Sequence, residues 1–169
     1  MAAKDTLTEA EYLRTSFPDL DREFKDGEVV ERSMPDWLHS MVQANLVALF
    51  HAERKRLNLQ VAPELRVKVR AERVLIPDVC VFWPAEPVGS VPDRCPLIAI
   101  EILSEDDRMN AVMDKLNEYA DWGVTHIWLV NPRNRALYVY RDGLQTVREL
   151  AADEVGMTLR ADDVFEQIL

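Results

Sequence analysis

"LIAIEILSEDDRMNAVMDKLNEYADWGVTHIWLVN", residues 97–131, decides the fold of this chain. Its first part, Leu97 to Leu103, is an apolar run of strand length. Val112, Leu116, Tyr119 and Ala120 then recur at helical spacing, and Gly123 closes that helix. "THIWLVN" supplies the next strand, so the stretch predicts a strand, crossover and strand unit of an α/β fold. One residue breaks the pattern. Glu101 stands in the middle of the first strand, where an unpaired carboxylate costs several kcal/mol. Such a group neutralises, finds a cationic partner or binds a metal.

Working outward, a second acid has the same setting. Asp78 lies in "VLIPDVCVFW", residues 74–83, again among apolar strand residues. Side chains alternate along a strand, so Asp78 shares a face with Cys80 and Phe82, and Glu101 with Ala99 and Leu103. If these strands pair with matching faces, the carboxylates converge, and a divalent cation that prefers oxygen reconciles their repulsion. Lys115 sits at the margin of the helix's apolar face, from which its stem can lie along the sheet and its amine reach the Glu101 strand. Each residue also has a plainer reading. Asp78 can be a capping acid after Pro77, Glu101 half of a buried salt bridge, and Lys115 a solvated helix residue.

The rest of the chain fits a mixed α/β domain with a central sheet. "LTEAEYLRTSF" predicts a short N-terminal helix capped by Thr8 and ending near Pro18. Asp26-Gly27 predicts a tight hairpin turn. Leu38, Met41, Val42, Leu46, Leu49 and Phe50 predict a long helix with Asp36 as its cap. Leu65, Val67 and Val69 alternate with Arg66, Lys68 and Arg70, which predicts a half-buried strand followed by a fully buried one from Val74. Beyond Asn131 come an alternating strand, a turn at Asp142-Gly143 into "LQTVREL", and a tail with room for one more strand and a helical turn.

With 169 residues, the chain is the size of one domain, residues 1–169, with an N-terminal helix within 1–20 and a core from about 22 to 150. A net charge of -10 argues against a broad nonspecific nucleic-acid coat but leaves room for a local basic groove. Arg66, Lys68 and Arg70 form a basic stripe that suits a phosphate backbone, although such faces are more often solvated surface. Cys80 and Cys95 belong to no CxxC pair, and no signal peptide or membrane-length apolar run is present, so a cytoplasmic protein without a membrane partner is expected. Trp83, Trp122 and Trp128 read as core.

Pro77-Asp78, followed after 23 residues by Glu101, resembles the PD-(D/E)xK nuclease superfamily, but Leu103 stands where that pattern has its lysine. Several pieces in order, "REFKDGEVVE", the helix carrying His39, "PDVCVFW", "PLIAIEILSEDDR", "KLNEYADWGV" and "HIWLVNPRNRALYVYR", are more specifically similar to the Uma-two family of restriction-endonuclease-like proteins. The resemblance runs from about Arg22 to Arg141. It implies a restriction endonuclease-like core, a central mixed β-sheet flanked by helices. It further implies a metal-dependent endonuclease that hydrolyses DNA with a metal-activated water. Mg²⁺ or Mn²⁺ would be held by Asp78, Glu101 and the carbonyl of Ile102. Lys115 would take over from the missing lysine, orienting or helping to deprotonate the water, with Glu23 and His39 near the site. Related folds are commonly dimeric, so a homodimer is expected. The competing expectation is a catalytically silent nucleic-acid-binding or oligomerising module with a structural Glu101–Lys115 ion pair. A hydrolase of another kind using His39 ranks low, since no GxSxG motif is present.

Overall fold

A computed structural model describes residues 6–168; residues 1–5, the start of the expected N-terminal segment, and Leu169 lie outside it. In chain order the elements are α1 (Glu9–Arg14), β1 (Glu23–Lys25), β2 (Glu28–Val30), α2 (Trp37–Leu57), β3 (Gln60–Pro63), β4 (Val67–Arg70), β5 (Arg73–Leu75), β6 (Val79–Phe82), β7 (Ile98–Ile102), α3 (Met109–Trp122), β8 (His126–Asn131), β9 (Ala136–Tyr140), β10 (Leu144–Val147), β11 (Glu149–Ala152), a 3-10 turn (Asp153–Val155), β12 (Met157–Arg160) and α4 (Ala161–Val164). The helix starts follow their caps. Thr8 and Glu11 form a reciprocal capping box at α1, and Asp36 accepts from the His39 backbone N–H at 2.8 Å to start α2. Asp26 and Gly27 both take positive φ, 49° and 87°, and turn β1 into β2 as a two-residue hairpin.

The central sheet has six strands in the order β10-β9-β8-β7-β6-β3. It is mixed: β7 and β8 run parallel, joined by the α3 crossover, and its other pairings are antiparallel. Alternation sends Val79, Val81, Ile98, Ile100 and Ile102 to one face, where they meet Val42, Leu46 and Phe50 of α2. The β11–β12 hairpin and α4 complete that layer with Leu150, Leu159 and Phe165. Cys80, Phe82, Ala99, Ile127 and Leu129 face the other way, onto Leu116 and Tyr119 of α3. A second, four-stranded antiparallel sheet, β2-β1-β5-β4, carries α1, with Tyr12 stacked on Phe24 at 4.9 Å between ring centroids.

Three expectations need correction. The buried run from Val74 is not one strand: Val74 and Leu75 end β5 in the small sheet, and Val79 begins β6 in the central one. Pro77 lacks the N–H that a continuous ladder would require, so the chain changes sheets there while staying buried. Arg66 precedes β4 rather than belonging to it. The segment after Asp142-Gly143 makes two strands, β10 and β11, in different sheets. The edge strand β3 lies in a stretch without strand alternation and was not anticipated.

Candidate active site

The change of sheet at residues 76–78 builds the site. Ile76, outside both ladders, has its N–H bonded to Glu23 Oε1 at 3.1 Å and its carbonyl to Lys115 Nζ at 2.9 Å. Backbone groups that a continuous strand would have used internally are thus satisfied by two charged side chains, as burial requires. Two residues later, Asp78 stands just before β6. The β6–β7 register pairs Val79 with Ile100 and Cys80 with Ala99, and continuing it sets Asp78 opposite Glu101. The condition for convergence of the two acids is therefore met, on the face that α3 covers.

Glu101 is gripped by α3 from both of its oxygens. Lys115 Nζ donates to Oε2 at 2.9 Å, and the Tyr119 hydroxyl donates to Oε1 at 2.7 Å. Lys115 also lies 2.7 Å from Glu23 Oε1. With the Ile76 carbonyl, these are three acceptors around one ammonium, which has three hydrogens to give. Asp78 is held differently. Its Oδ2 accepts from the Ile102 backbone N–H at 2.7 Å and lies 3.3 Å from His39 Nε2, while Oδ1 accepts from Arg32 Nη2 at 3.1 Å. Arg32 also pairs with Glu64. Gln43 donates to Glu64 Oε1 and to the Asp78 carbonyl, both at 2.9 Å. Arg73 forks onto Glu118 at 2.6 and 2.8 Å and lies 3.7 Å from Glu23. Glu23, His39, Asp78 and Glu101 are all buried.

The acids divide electrostatically. Burial acts to raise the Asp78 carboxyl, but the hydrogen bond and charge of His39, with Lys115 and Arg32, outweigh it and hold Asp78 below the usual value. Burial dominates at Glu101, which Lys115 opposes and the neighbouring Asp78 and Glu23 reinforce, so its carboxyl is pushed up to about 8. Burial acts against the charged form of Lys115, yet the Glu101 and Glu23 charges prevail and raise it. His39 is likewise raised: burial acts downward, and Asp78 reverses it. The two acids thus differ in how their burial is offset, by His39, Lys115 and Arg32 at Asp78 and only in part by Lys115 at Glu101.

Over these groups opens a cleft of about 390 Å³. Glu23, His39, Asp78, Glu101, Ile102 and Lys115, six of the residues expected at a site, all line it, along with Arg32 and Arg73. Arg66, Lys68 and Arg70 do not. Arg66 pairs with Asp21 at 2.7 Å and lies over the Tyr12 ring, Lys68 pairs with Glu9, and Arg70 lies 3.0 Å from Asp26. That stripe ties α1 and the β1–β2 turn to the small sheet, and each cation already has a carboxylate. Sequence reasoning missed Tyr119, Arg32, Glu64 and Gln43. Tyr119 carried one usable signal, since it follows Lys115 by four residues and shares its helix face.

A mixed sheet with a crossover helix, flanked by helices on both faces and opening a cleft over buried acids at and beside its strands, puts the protein in the restriction endonuclease-like class of folds. The chain belongs to the Uma2 family, "Putative restriction endonuclease", whose model matches residues 9–168. Among solved structures it is similar to a putative nuclease belonging to DUF820 from Anabaena variabilis ATCC 29413. That match has a TM-score of 0.81 and 23% identity, and covers 96% of this chain and 99% of the other. At that identity the likeness establishes the fold. A search of curated proteins returned no match. Among the described residues, no helix is long and apolar enough to cross a membrane.

Proposed function

We propose that this protein is an endonuclease that hydrolyses DNA phosphodiester bonds with the help of Mg²⁺ or Mn²⁺. The observation that carries the reading is the placement of Asp78, just before β6, opposite Glu101 of β7 by extension of their register, both lining one cleft. The donor set fits a hard divalent cation. Two carboxylates and the Ile102 carbonyl offer oxygen, and Asp78 Oδ1 and the two Glu101 oxygens, with one donor apiece, keep a second lone pair. Among the described residues no three His, Cys, Asp or Glu side chains gather as a ready-made ligand cluster, and in this reading the Ile102 carbonyl would be the third ligand. A cation bound there would supply positive charge to a phosphoryl oxygen and make water acidic enough to attack at neutral pH.

The chain's own residues have narrower tasks. Asp78 is kept ionised by Arg32 and His39 and aimed by the Ile102 N–H. Lys115, protonated and with three acceptors around it, has no lone pair with which to take a proton. Its task is to supply charge and orient Glu101. The two thiols, free in the structure, fit a reducing, cytoplasmic setting. A homodimer would bring two such clefts to the two strands of a duplex.

The test is nicking of supercoiled plasmid with Mg²⁺ or Mn²⁺, beside EDTA and the variants Asp78→Ala, Glu101→Ala and Lys115→Ala, each checked for folding by circular dichroism. Loss of cleavage with EDTA and in all three variants is expected. Inactive, folded wild-type protein that binds no metal would favour the second reading, a silent nucleic-acid-binding or oligomerising module. One observation favours that alternative: the Lys115 ammonium and both Glu101 oxygens already have partners within the protein.

A further inference from the structure

Tyr119 is fully buried in the apolar cluster between α3 and the sheet. A phenylalanine would fill that place without the desolvation cost of a hydroxyl, which is about 1–3 kcal/mol when unmatched. The hydroxyl is matched at one point, Glu101 Oε1, at 2.7 Å. Lys115, one helical turn earlier, takes Oε2 of the same carboxylate at 2.9 Å. Two donors on one rigid helix, one on each oxygen, fix the plane of the carboxylate and prevent it from turning about its last bond. The phenol is also a durable donor, because burial and the surrounding acids raise its ionisation well above the ordinary tyrosine value.

We propose that Tyr119 is a positioning residue whose hydroxyl holds Glu101 in the orientation that lets it act as a divalent-cation ligand. This rests on the metal-site reading of Asp78 and Glu101. It extends that reading to a residue that touches neither cation nor substrate and acts through Glu101. Lys115 without Tyr119 would leave Oε1 free to rotate away, and Tyr119 without Lys115 would leave Oε2 so.

The experiment is calorimetric titration of Mn²⁺ into wild-type protein, Tyr119→Phe and Leu116→Val, with thermal unfolding of each in EDTA. Leu116 is the control, a buried residue one turn before Ala120 on the same helix face that makes no contact with Glu101 in the hydrogen-bond network. Tyr119→Phe is expected to weaken Mn²⁺ binding about 10- to 100-fold, the range for groups that orient metal ligands. Leu116→Val should lower the melting temperature while leaving Mn²⁺ affinity within about twofold. Equal Mn²⁺ affinity in Tyr119→Phe and wild type would overturn the proposal and leave the metal site standing. So would an equal loss of affinity in both variants, which would mean general loosening of the helix. Wild-type protein that takes up no Mn²⁺ would overturn the metal-site reading itself, and this proposal with it.

Discussion

Three acids, Glu23, Asp78 and Glu101, share the buried surroundings of one lysine, and their imbalance has a measurable consequence. The Glu101 carboxyl rises from 4.5 to about 8 through burial, with Lys115 opposing and Asp78 and Glu23 assisting. The folded protein therefore holds that proton more tightly than the unfolded chain. The stability this contributes is full below about pH 4.5 and is lost as pH rises through about 8. Glu101→Gln cannot ionise and escapes the loss. In EDTA, the unfolding free energy of the variant minus that of wild type is expected to rise from pH 5 to pH 8, on the order of 1 kcal/mol per pH unit. Urea denaturation at the two pH values checks it, and a difference independent of pH would contradict it. At this scale the sequence was informative where chemistry clashed with pattern. Asp78 and Glu101 stood out as acids among aliphatic residues, and Lys115 stood at a helix margin. Glu23 and His39 came from family resemblance. Tyr119 was hidden because a tyrosine at core spacing reads as packing, and Arg32 and Glu64 because they lie in irregular segments whose long-range partners no local pattern encodes.

At the scale of elements, α3 presents both donors that hold Glu101, so its position against β7 matters more than its length. Gly123 sets its end at φ 99°, where its N–H bonds back to Ala120 and a side chain would be strained. Gly123→Ala is expected to cost about 1 kcal/mol or more, read as a lower urea midpoint with an unchanged slope. No effect would show that the helix end is not held in this conformation. α2, α3, β7 and β8 were legible from periodicity, caps and the closing glycine, since each signal is local. The division of the Val74–Phe82 run was not. Unbroken burial from Arg73 to Phe82 erases the alternation that would mark a change of sheet, and Pro77 was the one residue that announced it. β3 is a four-residue strand whose partner, β6, lies well downstream, and β11 is a four-residue strand that leaves the central sheet to pair with β12 across a short 3-10 turn.

At the scale of the whole molecule, a net charge of -10 faces any polyanionic substrate. The stripe of Arg66, Lys68 and Arg70 is tied to Asp21, Glu9 and Asp26 and leaves little free positive charge on that face. Binding of a DNA oligonucleotide at physiological salt is therefore expected to be weaker than about 10⁻⁴ M in EDTA and to strengthen when Ca²⁺, as a cation that need not support cleavage, is added. Fluorescence anisotropy reads both conditions, and tight binding in EDTA would show that a basic surface rather than a cation recruits the substrate. Everything functional proposed for this molecule turns on whether Asp78 and Glu101 form one cation site. The direct measurement is calorimetric titration of Mn²⁺ into wild-type protein, Asp78→Asn and Glu101→Gln at pH 7.5. The account predicts saturable binding by the wild type and its loss in both variants. Folded wild-type protein that gives no binding heat, or variants that bind Mn²⁺ as the wild type does, would contradict it.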